Sequence, residues 1–347
     1  MNDKKAPKRT SWKRISLIAL CSILAIVLGV LLFVTIYINY LLGFVTIDGS
    51  HYTEDTQVYE SIPSDLDPND HYTGPTIQPG DIPLDTLPSI PPEDMVTEGI
   101  VNILLIGEDR FKNETRHRSD SMILCSFNLN DNSMTMISFL RDTYVSIPGF
   151  HYERLNAAYA HKGYRLLNET LATNFGVRVD ADIIIDFDGF EGIINMLGGV
   201  DIELTEKEAK HLNKENGWKL TAGMQHLDGK QALAYSRIRR IDMDAMRAQR
   251  QRKVLTALIN RYRNYSLPEM LSLASDIVQT GFVKTSMTSS ELTGYIVSLF
   301  PILSSANIRN QQIPAENTYT LKYIAGLGEC KIPDLEKNRK ILQQILN

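Results

Sequence analysis

The longest uncharged stretch of this 347-residue chain runs from residue 15 to residue 47 and is mostly apolar. About 20 apolar residues suffice to cross a bilayer as a helix. The residues before it contain six Lys or Arg and one acid, so the positive-inside rule places the N-terminus in the cytoplasm. No small-residue cleavage site follows, which disfavours a removable signal peptide. The sequence therefore predicts a cytoplasmic tail at residues 1–14 and a transmembrane helix at 15–42, with the remainder outside the cell.

Residues 43–98 are expected to form an extended linker. Between residues 48 and 98 there are twelve acids, no Lys or Arg, and eight of the chain's fourteen prolines. Such a composition buries little apolar surface and stays extended. No calcium-loop spacing appears in it, so an acidic spacer is the favoured interpretation.

The net charge of −5 and the pI near 5.9 describe this linker rather than the domain that follows it. The tail contributes +5, the linker −12, and residues 99–347 contribute +2. A near-neutral domain argues against a nucleic-acid partner, because nucleic-acid-binding domains are usually strongly basic. Its charge says nothing against the binding of a small anion.

Residues 99–347 read as a single α/β domain. Apolar strand patterns occur at 101–106, 121–129, 133–140, 181–186 and 200–204, and Asn130, Asp131 and Asn132 predict a hairpin turn. Helical patterns occur at 156–175, 189–197, 229–235, 244–262, 268–280, 289–300 and 335–346. Strands that alternate with helices predict a largely buried sheet covered by helices.

Arginine is concentrated in two windows, which hold eleven of the domain's seventeen arginines. The first window contains Arg110, Arg116, Arg118, Arg141 and Arg154, and the second contains Arg237, Arg239, Arg240, Arg247, Arg250 and Arg252. The planar guanidinium suits phosphate oxygens, whereas Lys is commoner for surface solubility. The clustering therefore favours a phosphate site over scattered surface salt bridges.

Two acids lie next to the first window at the predicted strand ends. Asp109 follows the first strand and Asp120 precedes the second, and open α/β sheets bind ligands at strand ends. Two such carboxylates can hold Mg²⁺, which takes its other ligands from water and phosphate. Arg141 and Asp142 end the next strand, and Arg247, Arg250 and Gln251 share one helix face. These groups together predict a pyrophosphate and metal site.

Several other chemistries are disfavoured. The chain has no phosphate-binding Gly-x-x-x-x-Gly-Lys-Ser/Thr loop, no Gly-x-Ser-x-Gly elbow and no His-Glu-x-x-His motif. His117 is read as an exposed loop residue and Cys125 as a small core residue. A disulfide between Cys125 and Cys330 is left open by the sequence.

The ordered set of motifs resembles the LytR-CpsA-Psr (LCP) family of cell-envelope proteins between about residues 102 and 258. The matching stretches include Asn102-Ile-Leu-Leu-Ile-Gly-Glu-Asp109, Arg118-Ser-Asp-Ser-Met, Arg141-Asp-Thr-Tyr-Val, Arg154-Leu-Asn-Ala-Ala-Tyr, Gly198-Gly-Val, Tyr235-Ser-Arg-Ile-Arg239 and Arg247-Ala-Gln-Arg-Gln251. The chain departs from the family pattern at Arg110, which follows Asp109 directly, and at Met243-Asp244-Ala245-Met246. The resemblance implies a central mixed β-sheet flanked by helices, with residues 99–347 as the catalytic domain.

The resemblance also implies a phosphotransferase of cell wall assembly. Such an enzyme moves a glycopolymer, such as teichoic acid or capsule, from a polyprenyl-pyrophosphate carrier in the membrane to peptidoglycan. Position by position, Asp109 and Asp120 would hold Mg²⁺, or alternatively Mn²⁺. The pyrophosphate would contact Arg118, Arg141, Arg154, Arg237, Arg239, Arg247 and Gln251. The predicted catalytic residues are Arg118, Asp120, Arg141 and Asp142, with either Asp142 or a metal-binding Asp as the base.

Two other activities fit the same residues. A pyrophosphatase would hydrolyse the same lipid with water. A regulator without enzymatic activity would only bind the anionic polymer or the lipid pyrophosphate.

Overall fold

The computed structural model describes residues 75–79, 81–82, 98–109, 118–239, 241, 244–305 and 307–346. The predicted tail, the predicted transmembrane helix and most of the predicted linker lie outside these residues, as do Arg110, Arg116, His117 and Arg240. Within the described ranges, no helix has both the length and the apolar character of a membrane span.

The first half of the domain alternates strands and helices. Its strands are β1 (Ile100–Glu108), β2 (Ser119–Asn128), β3 (Ser133–Phe139), β4 (Tyr144–Ser146), β5 (Tyr152–Arg154), β6 (Ala181–Ile185), β7 (Val200–Leu204) and β8 (Gly223–Leu227). Its helices are α1 (Leu155–Phe175), α2 (Phe187–Met196), α3 (Glu206–Asn216) and α4 (Gly229–Ser236). The predicted α/β class is confirmed.

The second half begins with a long arginine-rich helix. Its helices are α5 (Asp244–Tyr262), α6 (Leu267–Gln279), α7 (Ser289–Ser305) and α8 (Leu335–Leu346). Its strands are β9 (Val283–Thr285), β10 (Ile308–Ile313), β11 (Tyr319–Ile324) and β12 (Gly328–Pro333). The sequence patterns did not predict α3, β4, β5 or β8 to β12.

A mixed six-stranded sheet lies at the centre of the described domain, in the order β10-β3-β2-β1-β6-β9. β1 runs antiparallel to β2 and parallel to β6, so it is hydrogen-bonded on both sides. The predicted hairpin joins β2 and β3, and Asn132 in its turn has a left-handed φ of 54°. Asn tolerates this backbone region better than most residues, which explains the turn signal in the sequence.

Both faces of the sheet are covered by helices, and this explains why the sequence of β1 is almost continuously apolar. Leu104 and Ile106 face a core built with α1 and α8, whereas Ile103 faces a second core built with α7. Leu255 on α5 packs against this second core. A strand buried on both faces needs apolar side chains at successive positions.

A smaller subdomain packs beside the sheet and carries the second arginine window. α2, α3, α4, β7 and β8 surround their own apolar cluster, to which Val254 of α5 also belongs. α3 begins with a capping box in which Thr205 and Glu208 exchange side-chain hydrogen bonds with each other's backbone N–H groups. α3 is polar over most of its surface, and its apolar contact rests on few residues, Ala209 and Leu212.

The last described part of the linker packs against the C-terminal hairpin of β11 and β12. Ile77 forms a parallel bridge with Ile324, and its N–H donates to the carbonyl of Tyr323 at 3.1 Å. Ile82 is buried with Tyr144, Ile324 and Cys330. Cys330 and Cys125 are both free thiols, and they lie in separate apolar clusters.

Asp182 is a buried carboxylate on β6, between β1 and the edge strand β9. It accepts a hydrogen bond from Asn168 of α1 at 3.0 Å, and its N–H donates to the hydroxyl of Ser286 at 2.9 Å. Burial raises the pKa of Asp182 to about 6, although hydrogen bonds from Asn168 and Ser286 partly oppose this.

The raised pKa of Asp182 predicts a pH-dependent stability. Between about pH 4 and pH 6 the unfolded chain ionises Asp182 while the folded chain keeps the proton, so the unfolding free energy falls as the pH rises, by about 3 kcal/mol in total. Asp182→Asn should remove this dependence. Urea unfolding of the full chain in detergent micelles should show the variant gaining about 3 kcal/mol over the native protein between pH 4 and pH 7. A constant difference across this range would contradict the assignment.

Candidate functional site

The two predicted metal-binding acids lie side by side at the end of the β1–β2 pair. Asp109 directly follows β1, and Asp120 is the second residue of β2. The N–H of Asp109 donates to the carbonyl of Arg118 at 2.9 Å, and the register shifts between Gly107 and Glu108. Such a bulge turns the end of a strand away from the regular ladder. Local backbone geometry therefore brings Asp109 and Asp120 together at one end of the β1–β2 pair.

Asp120 is the centre of the arginine cluster. Its Oδ1 accepts a hydrogen bond from Nη1 of Arg141 at 2.7 Å. Its Oδ2 accepts from Nη1 of Arg247 at 3.1 Å and also from Nη2 of Arg239. Nη2 of Arg247 donates to the main-chain carbonyl of Asp120 at 3.1 Å. The structure thus joins the two arginine windows at one carboxylate.

The charge state of Asp120 follows from this geometry. Burial on its own raises the pKa of a carboxyl group, because it disfavours the charged form. Here the charges of Arg141, Arg247 and Arg239 outweigh burial and hold the pKa of Asp120 well below its usual range. Asp120 is therefore ionised throughout the physiological range, and it neutralises only part of the surrounding positive charge.

The pKa of Asp109 is shifted in the opposite direction to that of Asp120. Burial and the nearby negative charge of Asp120 raise the pKa of Asp109, and the charge of Arg237 opposes them. One guanidinium nitrogen of Arg237 lies 3.8 Å from Oδ1 of Asp109. A cation bound at both carboxylates would offset the repulsion between their negative charges.

The donor set at this pair fits Mg²⁺ in ligand type. Asp109 and Asp120 offer the carboxylate oxygens that Mg²⁺ prefers. Across the described residues, no group of three or more His, Cys, Asp or Glu side chains is placed to hold a metal ion. An ion bound at Asp109 and Asp120 would therefore take its remaining ligands from water and substrate.

Arg118 and Arg237 both contact Asp109. Arg118 is 9% exposed and holds Asp109 through its main-chain carbonyl. Arg237 ends α4, and its guanidinium stacks over the ring of Phe187 at 4.0 Å from the ring centroid. Stacking on an aromatic ring orients a guanidinium without using its N–H donors.

Two arginines of the windows, Arg154 and Arg250, contact groups other than Asp120. Arg154 is buried at the start of α1, and its charge acts on the thiol of Cys330. Nε of Arg250 donates to Glu208 of α3 at 2.8 Å, and Nη1 of Arg250 donates to the carbonyl of Ile238 at 3.1 Å. Because Ile238 lies between Arg237 and Arg239, Arg250 fixes the segment that carries both.

Asp142 forms an ion pair with Lys331, which the sequence alone does not predict. Its Oδ2 contacts the ammonium group of Lys331 on β12. The N–H of Lys331 also donates to the carbonyl of Asp142 at 2.9 Å. The carboxylate predicted as a possible base is thus engaged by a lysine from the C-terminal hairpin.

An apolar cavity of about 180 Å³ opens beside the arginine cluster. It lies between the sheet, α2, α4 and α5, and its walls include Leu105, Ile123, Phe190, Ile194, Leu233 and Leu255. Its polar lining includes Asp120, Arg237, Arg247 and Gln251 beside the arginine cluster, and also Glu108 and Asp186. An apolar cavity with a few convergent polar groups is the usual form of a ligand site. This one suits a molecule with an anionic head and a hydrocarbon tail.

The cavity walls were not assigned from the sequence. The wall residues come from six separate elements, β1, β2, β6, α2, α4 and α5, and the apolar ones have the sequence pattern of ordinary core positions. Gln251, which the sequence did single out, lies at the polar end with Arg247, one helical turn before it on α5.

The chain matches the sequence model of a known protein family. The family model named LytR_cpsA_psr matches residues 85–342, nearly the whole region that follows the predicted linker. The chain belongs to the LytR_cpsA_psr family. The predicted family membership is therefore confirmed, and it covers the sheet, both arginine windows and the C-terminal hairpin of this LytR_cpsA_psr protein.

Curated relatives share about a third of the residues. The polyisoprenyl-teichoic acid–peptidoglycan teichoic acid transferase TagT of Bacillus subtilis is 35% identical over 211 residues, which cover 59% of this chain and 64% of TagT. The regulatory protein MsrR of Staphylococcus aureus is 31% identical over 225 residues, which cover 64% of this chain and 67% of MsrR. The LytR_cpsA_psr protein thus spans slightly less than two thirds of the length of TagT.

Solved structures of TagT have the same fold. TagT bound to LIIa-WTA superposes with a TM-score of 0.59 and 29% identity, over 72% of this chain and 91% of that one. TagT with bound octaprenyl pyrophosphate superposes with a TM-score of 0.56 and 27% identity, over 72% and 91% of the two chains. The predicted mixed sheet flanked by helices is confirmed for this LytR_cpsA_psr protein.

Proposed function

We propose that this protein is a phosphotransferase that moves a glycopolymer from a polyprenyl-pyrophosphate carrier to peptidoglycan in cell wall assembly. The observation that carries the proposal is the position of Asp120. Three arginines converge on it at the mouth of an apolar cavity. TagT, whose name states the transfer of teichoic acid to peptidoglycan, and its complex with octaprenyl pyrophosphate support the assignment.

The proposed donor binds with its two ends in different surroundings. The prenyl chain enters the apolar cavity between the sheet and α5, where each buried CH₂ group contributes about 0.8 kcal/mol. The pyrophosphate lies at the polar end of the cavity, where Arg118, Arg141, Arg237, Arg239, Arg247 and Gln251 surround it, with Arg154 behind them. Guanidinium groups that now contact Asp120 then share their N–H donors with phosphate oxygens.

The proposed reaction is a substitution at phosphorus. A sugar hydroxyl of peptidoglycan attacks the phosphorus next to the glycopolymer, a new P–O bond forms, and the bond to the bridging oxygen breaks. Polyprenyl phosphate leaves with the electron pair, and the hydroxyl proton passes to water or to a carboxylate. Arg118, Arg141 and Arg247 neutralise the charge that develops on the leaving group, and such stabilisation is the main source of catalysis in phosphoryl transfer.

Little help from a base is needed in this proposal, because phosphoryl transfer passes through a loose transition state. Without a bound cation Asp109 is the carboxylate of the acid pair with the raised pKa, and an ion held by Asp109 would stabilise its charged form and favour water as the proton acceptor. The predicted base role of Asp142 stays a prediction. Its pairing with Lys331 favours a supporting role for this carboxylate.

We assign Mg²⁺, with Mn²⁺ as an alternative, to Asp109 and Asp120. When bound, the ion neutralises charge on the phosphate oxygens. Chelation with EDTA should lower the initial rate of transfer at least about 100-fold. Added Mg²⁺ should restore the rate, whereas Ca²⁺, which prefers more ligands and longer bonds, should restore less. Full activity after chelation and dialysis would remove the ion from the proposal.

The proposed topology follows the sequence. The segment 15–42 would anchor the chain in the cell membrane, with residues 1–14 in the cytoplasm and the catalytic domain outside. Its partners would be membrane-borne lipid-linked polymer and peptidoglycan, without nucleic acid. A linker that can extend by about 3.3 Å per residue would let the domain reach both membrane and wall.

Transfer is separated from the two alternative activities by one assay. The full chain in detergent micelles is incubated with radiolabelled lipid-linked polymer, Mg²⁺ and peptidoglycan. A transferase produces label covalently bound to peptidoglycan. A pyrophosphatase releases free phosphorylated polymer whether or not peptidoglycan is present. Tight binding of the lipid without any product would indicate a regulator and would contradict the proposal.

A further inference from the structure

The turn that carries Arg141 is fixed by the elements around it. The N–H of Leu140 donates to the carbonyl of Ile313 on β10 at 2.8 Å. The hydroxyl of Thr143 donates to the carbonyl of Leu140 at 2.6 Å, and the N–H of Leu155 at the start of α1 donates to the carbonyl of Thr143 at 2.8 Å. The backbone of residues 140–143 is therefore held on two sides, and the side chain of Arg141 points from it to Asp120.

Lys331 holds the third side of this turn. It lies on β12, where Thr143 and Lys331 form a parallel bridge, and its N–H donates to the carbonyl of Asp142. Its ammonium group contacts Oδ2 of Asp142 and lies 5.7 Å from the centroid of the Tyr319 ring. Lys331 is only 6% exposed. A buried lysine is costly unless its charge is paired, so the contact with Asp142 is a specific one.

The pairing affects Arg141 because Asp142 is its neighbour in the chain. A free carboxylate at residue 142 would offer Arg141 a second acceptor, in competition with Asp120 and with a bound phosphate. Lys331 engages that carboxylate from the opposite element. Since buried ion pairs add little net stability compared with apolar residues, the role of this one is expected to lie in specifying geometry.

We propose that Lys331 is a positioning residue, which acts through Asp142 to keep the guanidinium of Arg141 directed at the pyrophosphate site. The inference rests on the proposed function, because it assumes that Arg141 binds the pyrophosphate. It gives the C-terminal hairpin of β11 and β12 a role in the site. It also gives Asp142 a role in orientation, whereas its role as a base stays a prediction.

The test measures inorganic pyrophosphate affinity by calorimetry with Mg²⁺ present, together with kcat for transfer, on the full chain in detergent. Lys331→Met should weaken pyrophosphate binding about 10-fold, as one charge-assisted hydrogen bond is lost. Lys331→Arg should stay within about 3-fold of the native protein, because it keeps the charge. Lys337→Met is the matched control, since Lys337 is an exposed lysine paired with Asp334.

Two double variants separate positioning from general stability. Lys331→Met added to Arg141→Ala should weaken binding no further than Arg141→Ala does, because both remove the same interaction. Lys331→Met with Asp142→Asn should regain most of the lost affinity, because the competing charge is gone. Additive losses, or no regain with Asp142→Asn, would overturn the inference.

The test of Lys331 gives a different result from a failure of the proposed transferase activity. If the native protein binds pyrophosphate but forms no peptidoglycan conjugate, the transferase assignment fails, and the affinities still decide the role of Lys331. If the native protein does not bind pyrophosphate, the inference fails with it. Melting temperatures of all variants, measured alongside, should differ too little to unfold any of them at the assay temperature.

Discussion

Asp120→Ala is expected to lower the rate of transfer at least about 1,000-fold, the largest effect of any single substitution in the site. The substitution removes one of two proposed metal ligands and the acceptor shared by Arg141, Arg239 and Arg247. Without this carboxylate the three guanidinium groups repel one another and lose their common orientation. The measurement is the initial rate of label transfer from lipid-linked polymer to peptidoglycan, with Mg²⁺ saturating.

The matched control is Asp201→Ala. Asp201 is also an aspartate on a strand and also pairs with a basic side chain, His226, but both are exposed and lie on the antiparallel pair of β7 and β8. Its rate should stay within about 2-fold of the native value, as expected for an exposed pair. Circular dichroism should show that Asp120→Ala remains folded. A folded Asp120→Ala protein with more than a tenth of native activity would contradict the site assignment.

Leu255→Glu is expected to raise the KM for lipid-linked donor at least about 30-fold, equivalent to about 2 kcal/mol of lost apolar contact. Leu255 lies on α5, one turn after Gln251, and forms part of the cavity wall. A carboxylate there would meet the hydrocarbon tail of the substrate, and burying a charge against hydrocarbon is strongly unfavourable. Binding of inorganic pyrophosphate, which has no tail, should change less than about 3-fold.

Leu255→Met provides the control for this substitution, because Met has similar volume and remains apolar. Its KM for the donor should stay near the native value. An equal loss of affinity for the lipid donor and for pyrophosphate in Leu255→Glu would indicate general disruption of the site. An unchanged KM would show that the prenyl chain binds outside the cavity.

The central strands and the acid pair were predictable because their signals are local. The apolar run of β1 at residues 101–106 is followed by Gly107, and the β2–β3 turn contains three residues that tolerate left-handed geometry. Asp109 and Asp120 lie at the ends of β1 and β2 and are joined by a short loop, so the sequence could assign both to one site. The convergence of Arg141 and Arg247 on Asp120 could not be predicted in this way, because they lie 106 positions apart in the sequence and only the fold brings them together.

The features that escaped prediction depend on contacts between distant segments. α3 is largely polar, and its capping box at Thr205 and Glu208 was the one local signal that could have located it. β9 has three residues, too few for a clear pattern. In the sequence Lys331 looks like an ordinary surface lysine, and only the position of β12 in the structure shows that it contacts Asp142. The cavity walls read as core positions, because a core residue and a lipid-contacting residue have the same chemistry.

The central claim is that a lipid pyrophosphate binds with its head among the arginines and its tail in the cavity. A crystal structure of the protein with polyprenyl pyrophosphate and Mg²⁺ tests this most directly. The account predicts pyrophosphate oxygens in contact with Arg141, Arg239 and Arg247, and the prenyl chain between Leu105 and Leu255. Electron density for the lipid on another surface, with the three arginines still held only by Asp120, would contradict it.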